Sequence, residues 1–168
     1  GTCGIGSGPL FYGLTMASLT ILAIGKKHED WVIEGIQRYQ KRLKAAFTVE
    51  WMLLPHSSLE ADSARQEESE RLLKHLQGYD VVVLLDERGR LLDSPALSQF
   101  IQTQVQHSRK IAFVIGGAYG VTDELRQKAT MVWSLSPLVF PHQLVRLLLI
   151  EQLYRAQAIA AGSAYHHQ

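Results

Sequence analysis

The sequence predicts an α/β fold, a mainly parallel β-sheet flanked by helices. Three observations carry that expectation. Apolar runs of strand length alternate with segments of helical spacing about five times along the chain. The runs near residues 81–85 and 110–115 are apolar on consecutive positions, as strands covered on both faces should be. No linker-like or repeated stretch divides the 168 residues, so one domain holds them.

Leu19–Ile24 closes on Gly25 and reads as a buried strand. Spacing turns helical over Glu29–Lys44, where Val32, Ile36, Tyr39 and Leu43 form one stripe. Arg38, Lys41 and Arg42 lie off that stripe and suit a solvated face. Phe47–Leu54 is rich in strand formers and ends at Pro55. Ser63 and Gln66 form a capping-box pattern that opens a helix through Leu72, Leu73 and Leu76, stopped by Gly78. Tyr79–Leu85 is the next strand, and Ser94-Pro95 supplies an N-cap and a first-turn proline for a helix burying Leu97, Phe100 and Ile101. Lys110–Ile115 is a strand ending in Gly116-Gly117. Thr122, Asp123 and Glu124 start a short helix with acids at its positive end. Met131–Ser136 is the last strand, and after Pro137 and Pro141 a long helix runs to about Ala161, with Gly162 as its stop.

Composition narrows the function. Hydrophobic residues make up 46% and charged residues 20%, values of an ordinary globular chain. Seventeen Lys and Arg against sixteen Asp and Glu give a net charge of +1, which does not announce a dedicated nucleic-acid binder. An RNA substrate would need local basic patches or a second subunit. Cys3 is the single cysteine, which excludes an intrachain disulfide and a CxxC zinc site and suits a reducing compartment. No apolar run reaches membrane-spanning length. Residues 1–15 are Gly-rich, uncharged and aperiodic; they read as a non-native or over-extended segment, with Met16 the natural start.

Chemistry is expected at the carboxyl ends of the strands. Gly116-Gly117 there lets backbone approach a ligand, or simply makes a tight turn. Leu135-Ser136-Pro137-Leu138-Val139-Phe140 is apolar where an exposed loop is usually polar, so it is either buried or lines an apolar pocket. Glu151 and Arg155 have the spacing of a surface ion pair. The Leu144–Leu153 stretch is apolar enough to be buried widely, including against a partner subunit. The tail histidines, His166 and His167, are a disordered end, a metal site or part of an active centre.

One longer pattern decides among these readings. Phe140-Pro141-His142-Gln143, Arg146, Ile150-Glu151-Gln152-Leu153-Tyr154-Arg155-Ala156 and Ala164-Tyr165-His166 resemble the signature of the ribosomal large-subunit methyltransferase H family. Ile21–Lys26, Leu85-Asp86 and Phe113–Gly117 fit it too, so the resemblance spans Ser18 to His166. It implies a single SPOUT methyltransferase domain over 16–168, its C-terminal segment threaded into a trefoil knot that periodicity alone would never suggest. It implies a cytoplasmic homodimer that methylates N3 of a pseudouridine in 23S ribosomal RNA within the ribosome, using S-adenosyl-L-methionine and no metal. By the same resemblance Leu85, Gly116, Gly117, Leu135, Ser136, Pro137, Leu138, Val139 and Phe140 hold the methyl donor, and Arg155, Tyr165 and His166 act on the base. A ribosome-binding protein that keeps this fold without the activity is the rival reading, and a nucleotide- or flavin-binding enzyme a more distant one.

Overall fold

The computed structural model describes residues 17–44, 46–162 and 165. The expectations for residues 1–15 and for His166 lie outside them. Five strands, β1 (Ala17–Ile24), β2 (Phe47–Leu54), β3 (Val81–Leu91), β4 (Ile111–Ile115) and β5 (Met131–Ser134), form one parallel sheet in the order β2-β1-β4-β3-β5. Between and after them run α1 (Asp30–Gln40), α2 (Ala61–Leu76), α3 (Ser94–Gln106), α4 (Asp123–Lys128) and α5 (His142–Ala160).

Strand alternation sorts the core into two layers. Leu19, Ile21 and Ala23 of β1 face the layer built with Val32 and Ile36 of α1, Leu97 and Ile101 of α3, and Leu149, Ile150 and Leu153 of α5. Leu22 and Ile24 face the opposite layer, with Leu72 and Leu76 of α2 and Leu125 of α4. Burial on both faces is why these strands are apolar throughout. Helix α5 runs against the strand direction. Its first turns meet the end of β1, where Arg146 donates to the Ile24 carbonyl, and its last turns meet the start of β2, where Gln157 donates to the Phe47 carbonyl.

Several boundaries differ from the sequence reading. Helix α2 starts at Ala61, two residues before Ser63, after Glu60, which makes no capping bond. The N-cap of α3 is Asp93, not Ser94: its carboxylate accepts from the Ala96 N–H at 2.8 Å, and Ser94 is already helical. Strand β3 extends beyond Leu85 to Leu91 because Leu85 and Arg90 both pair with Trp133, leaving the intervening residues as an irregularity in the ladder. Strand β5 stops at Ser134, which frees Leu135 and Ser136 for the following loop.

Candidate active site

The ends of the three neighbouring strands β4, β3 and β5 enclose a cavity of about 240 Å³. Leu85 through Arg88 wall it from β3, and Gly116, Gly117 and Val121 from the turn after β4. Leu135, Ser136, Leu138, Val139 and Phe140 wall it from the loop after β5, and His142 and Val145 from α5. Of the residues expected to hold a donor, Pro137 alone is not in this wall. The apolar loop is not simply buried. Leu138 is 67% and Val139 78% exposed, while Ser136 Oγ accepts from the Leu138 N–H at 3.1 Å and Ser134 Oγ donates to the Ser136 carbonyl at 2.9 Å. The glycine pair is tightly fitted. A Cβ at Gly116 would stand 2.8 Å from Val121, itself a wall residue, and one at Gly117 would collide with the Glu68 carboxylate. Glu68 is buried; its Oε2 accepts from the Ser57 N–H at 2.8 Å, and its Oε1 has no hydrogen-bond partner among the described residues.

Charge around the cavity is fixed by local partners. Partial burial alone would raise the Asp86 carboxyl, but hydrogen bonds from Arg88 and Arg126 outweigh it and hold the group at about 2. The Arg126 contact is 2.8 Å. Burial, with help from Arg146, pushes His142 below the ordinary histidine range against the opposing pull of Glu68 and Glu87. His142 is therefore a neutral imidazole at neutral pH.

Arg146 is the residue whose role the sequence did not reveal. It is fully buried, and it donates to the carbonyls of Ile24 and Gly25 at 3.0 Å each and of Lys27 at 2.9 Å. Its Nη1 also stands 3.2 Å from His28 Nδ1. Gly25 has φ +116°, and a Cβ there would lie 2.8 Å from the guanidinium, so glycine serves both the turn and the close approach. A lone arginine inside the apolar Leu144–Leu153 stretch was the available signal.

The polar residues near the end of α5 form a second cluster. Arg155 donates to Glu151 Oε2 through Nε at 3.1 Å and Nη2 at 2.8 Å, and the Tyr165 hydroxyl donates to the same oxygen at 3.0 Å. The guanidinium lies over the Tyr165 ring, 4.7 Å from its centroid, and Tyr165 packs edge-on against Tyr154. Burial first, then the Glu151 hydrogen bond, raises the Tyr165 phenol, so it stays protonated. Glu151 and Arg155 are thus not an ordinary surface pair: their side chains are only 17% and 19% exposed, and Glu151 organises the whole group. Arg155 and His142 are thirteen residues apart on one helix, which separates them by about 20 Å.

The profile of the family described as "Predicted SPOUT methyltransferase" matches residues 17–166. A "Ribosomal RNA large subunit methyltransferase H" of Geotalea daltonii is 42% identical over 151 residues, covering 89% of this chain and 99% of its own. Proteins of the same name from Synechococcus sp. strain CC9311 and Desulfitobacterium hafniense strain DCB-2 are 44% and 37% identical, with 94% and 99% of their lengths covered. The chain belongs to the ribosomal RNA large subunit methyltransferase H family. Its fold is also that of a probable methyltransferase from Bordetella pertussis Tohama I, with a TM-score of 0.56 at 14% identity over 88% of this chain and 98% of that one. In this methyltransferase the family signature is split in space. Phe140 and His142 border the cavity, whereas Glu151 stands at the middle of the same helix and Arg155 one turn beyond it.

Proposed function

We propose that this chain transfers a methyl group from S-adenosyl-L-methionine to N3 of a pseudouridine in 23S ribosomal RNA on the assembled ribosome. The observation that carries this reading is the cavity at the ends of β3, β4 and β5, in a chain of an rRNA methyltransferase family. Its walls fit the donor. Leu85, Leu138, Val139 and Phe140 offer apolar surface for an adenine, the Gly116-Gly117 turn brings backbone close, and Asp86 stays ionised beside a cationic ligand. When bound, the donor supplies an electrophilic methyl group.

The imide nitrogen of a pyrimidine lacks a free lone pair until its proton leaves, so the chain must orient the base, accept that proton and stabilise charge on the flanking carbonyls. Arg155, oriented by Glu151, suits the charge, and the protonated Tyr165 suits positioning rather than proton removal. His166 is proposed as the proton acceptor, since an imidazole titrates near neutrality.

Val145, the wall residue furthest along α5, and Arg155 are ten residues apart, about 15 Å in one chain, whereas reacting atoms must approach to about 3 Å. We therefore infer a homodimer in which the cluster of one copy serves the cavity of the other. Leu144 and Leu148 of α5, both only half-buried, suit such an interface. The C-terminal segment from Leu135 is proposed to thread as a trefoil knot, which would hold the apolar loop against the β3 extension. The work is placed in the cytoplasm, where ribosomes are.

The test is methyl transfer to ribosomes from a strain lacking this gene, followed by mass spectrometry of the rRNA nucleosides. Donor-dependent formation of N3-methylpseudouridine in 23S rRNA is expected. A ribosome-bound protein that neither binds the donor nor adds a methyl would leave the rival, non-catalytic reading in its place.

A further inference from the structure

The cations of this chain are unevenly committed. Among the described residues Arg65, Arg71, Arg88, Arg126 and Arg155 each face a carboxylate, and Arg146 is spent on backbone carbonyls. Lys74, Arg90, Arg109, Lys110 and Lys128 also make no ion pair among the described residues, but the cations of α1 and the turn after it stand grouped. Arg38, Lys41 and Arg42 are exposed and make no ion pair among the described residues. From residue 26 to residue 44 six Lys and Arg stand against three Asp and Glu, while the whole chain nets only +1, so the remainder is slightly acidic. The positive field of this protein is therefore local.

That field has a shape. Arg38 lies in the last turn of α1, and Lys41 and Arg42 follow in the turn after it, so the three cations gather at the C-terminal end of the helix. With Trp31, Glu34, Gly35 and Gln37 they line one shallow groove along α1, where three cations outweigh the Glu34 carboxylate. Trp31 is 56% exposed, and its indole N–H donates to Glu29 Oε1 at 2.9 Å, which pins the ring with its surface open to solvent. The same helix reaches the Arg155 cluster on another face: Tyr39 packs on Tyr154 at 6.1 Å between centroids, and Tyr154 packs on Tyr165 at 4.7 Å.

We propose that this groove binds the rRNA strand beside the acceptor nucleotide. Arg38, Lys41 and Arg42 meet backbone phosphates, and Trp31 stacks on an unpaired base. Unpaired cations at one end of the groove and an open indole at the other offer a strand both phosphate and base contacts, which suits single-stranded RNA. The proposal rests on the rRNA methyl-transfer reading above and adds where the substrate is gripped.

The test is the combined variant R38Q/K41Q/R42Q, with K74Q/K110Q/K128Q as a control that removes the same charge elsewhere. The groove variant should raise KM for ribosomes about tenfold or more, with kcat and donor affinity unchanged. Its binding to an rRNA fragment should lose about 2 from the slope of log affinity against log salt, the scale for three phosphate contacts on a single strand. Trp31→Ala should weaken RNA binding without changing that slope. Wild-type KM and slope in the groove variant, or an equal loss in the control, would overturn the proposal. So would an acidic peptide that competes with rRNA only when these residues are intact, since the groove would then belong to a protein partner. The two readings fail separately. A wild-type protein that methylates nothing yet grips rRNA through these residues keeps the groove and loses the activity; a methylating enzyme indifferent to the substitutions does the reverse.

Discussion

Two residues carry most of what a single substitution can reveal. Gly116 sits where a side chain has no room, and the first atom it would strike is Val121 Cγ1 rather than open cavity. Gly116→Val should therefore push a wall residue inward and cut donor affinity at least tenfold, while the core strands keep the chain folded. Calorimetry and thermal melting on the same sample check this, and unchanged affinity in a folded variant removes Gly116 from the site. Glu151 accepts from both Arg155 and Tyr165. Glu151→Gln keeps the shape but lacks the charge that holds the guanidinium, so methyl transfer in a single turnover should fall about 100-fold with donor binding intact. Deleting residues from Ala164 onward should give the same division. Wild-type turnover in either variant would reduce the cluster to packing.

At the scale of an element, the junction between the end of β1 and the start of α5 depends on one guanidinium. Arg146→Met would leave the buried Ile24 carbonyl and the partly buried Gly25 and Lys27 carbonyls without their donor, a loss of about 2 kcal/mol by denaturant titration. The same junction makes stability depend on pH. His28 and His142 are both lowered, by burial first and Arg146 second. Below 6.5 the unfolded chain takes up protons that these native imidazoles refuse, so their contribution is present above 6.5 and lost as pH falls through their folded values. Melting temperature should drop between pH 7.5 and 5, and the drop should shrink in a H28N/H142N variant. An identical drop in that variant would place the acid sensitivity elsewhere.

For the molecule as a whole, the decisive geometry is the length of α5. Its first turn lines the cavity and Arg155 stands in its second half, so under the proposed shared site one copy would carry two half-sites. Mixing Gly116→Val with Arg155→Ala, at a donor concentration too low for the first to turn over alone, should restore activity through mixed dimers. One of the two sites in each mixed dimer would be intact, giving about a quarter of the wild-type rate at random assortment. No recovery on mixing, or full activity from a monomer by light scattering, would defeat the shared site.

The alternation of strands and helices was legible because each parallel strand is buried on two faces and each helix on one, and those demands leave different periods in the chain. The glycine pair and the apolar loop were legible as oddities. Their purpose was not, because an apolar loop reads the same whether it fills a core or walls a cavity. Long-range neighbours fixed the remainder. The insertion of β4 between β1 and β3, the doubling of Leu85 and Arg90 on Trp133, and the burial of Arg146 beneath Gly25 all join residues distant in sequence, which local spacing cannot encode. The same holds for Glu151, whose spacing to Arg155 is that of any exposed pair until Tyr165 folds back and takes the same oxygen. Spacing along α5 was countable from the start. That its two ends face opposite edges of the sheet required the helix to be laid down against the strands, and that is settled by packing.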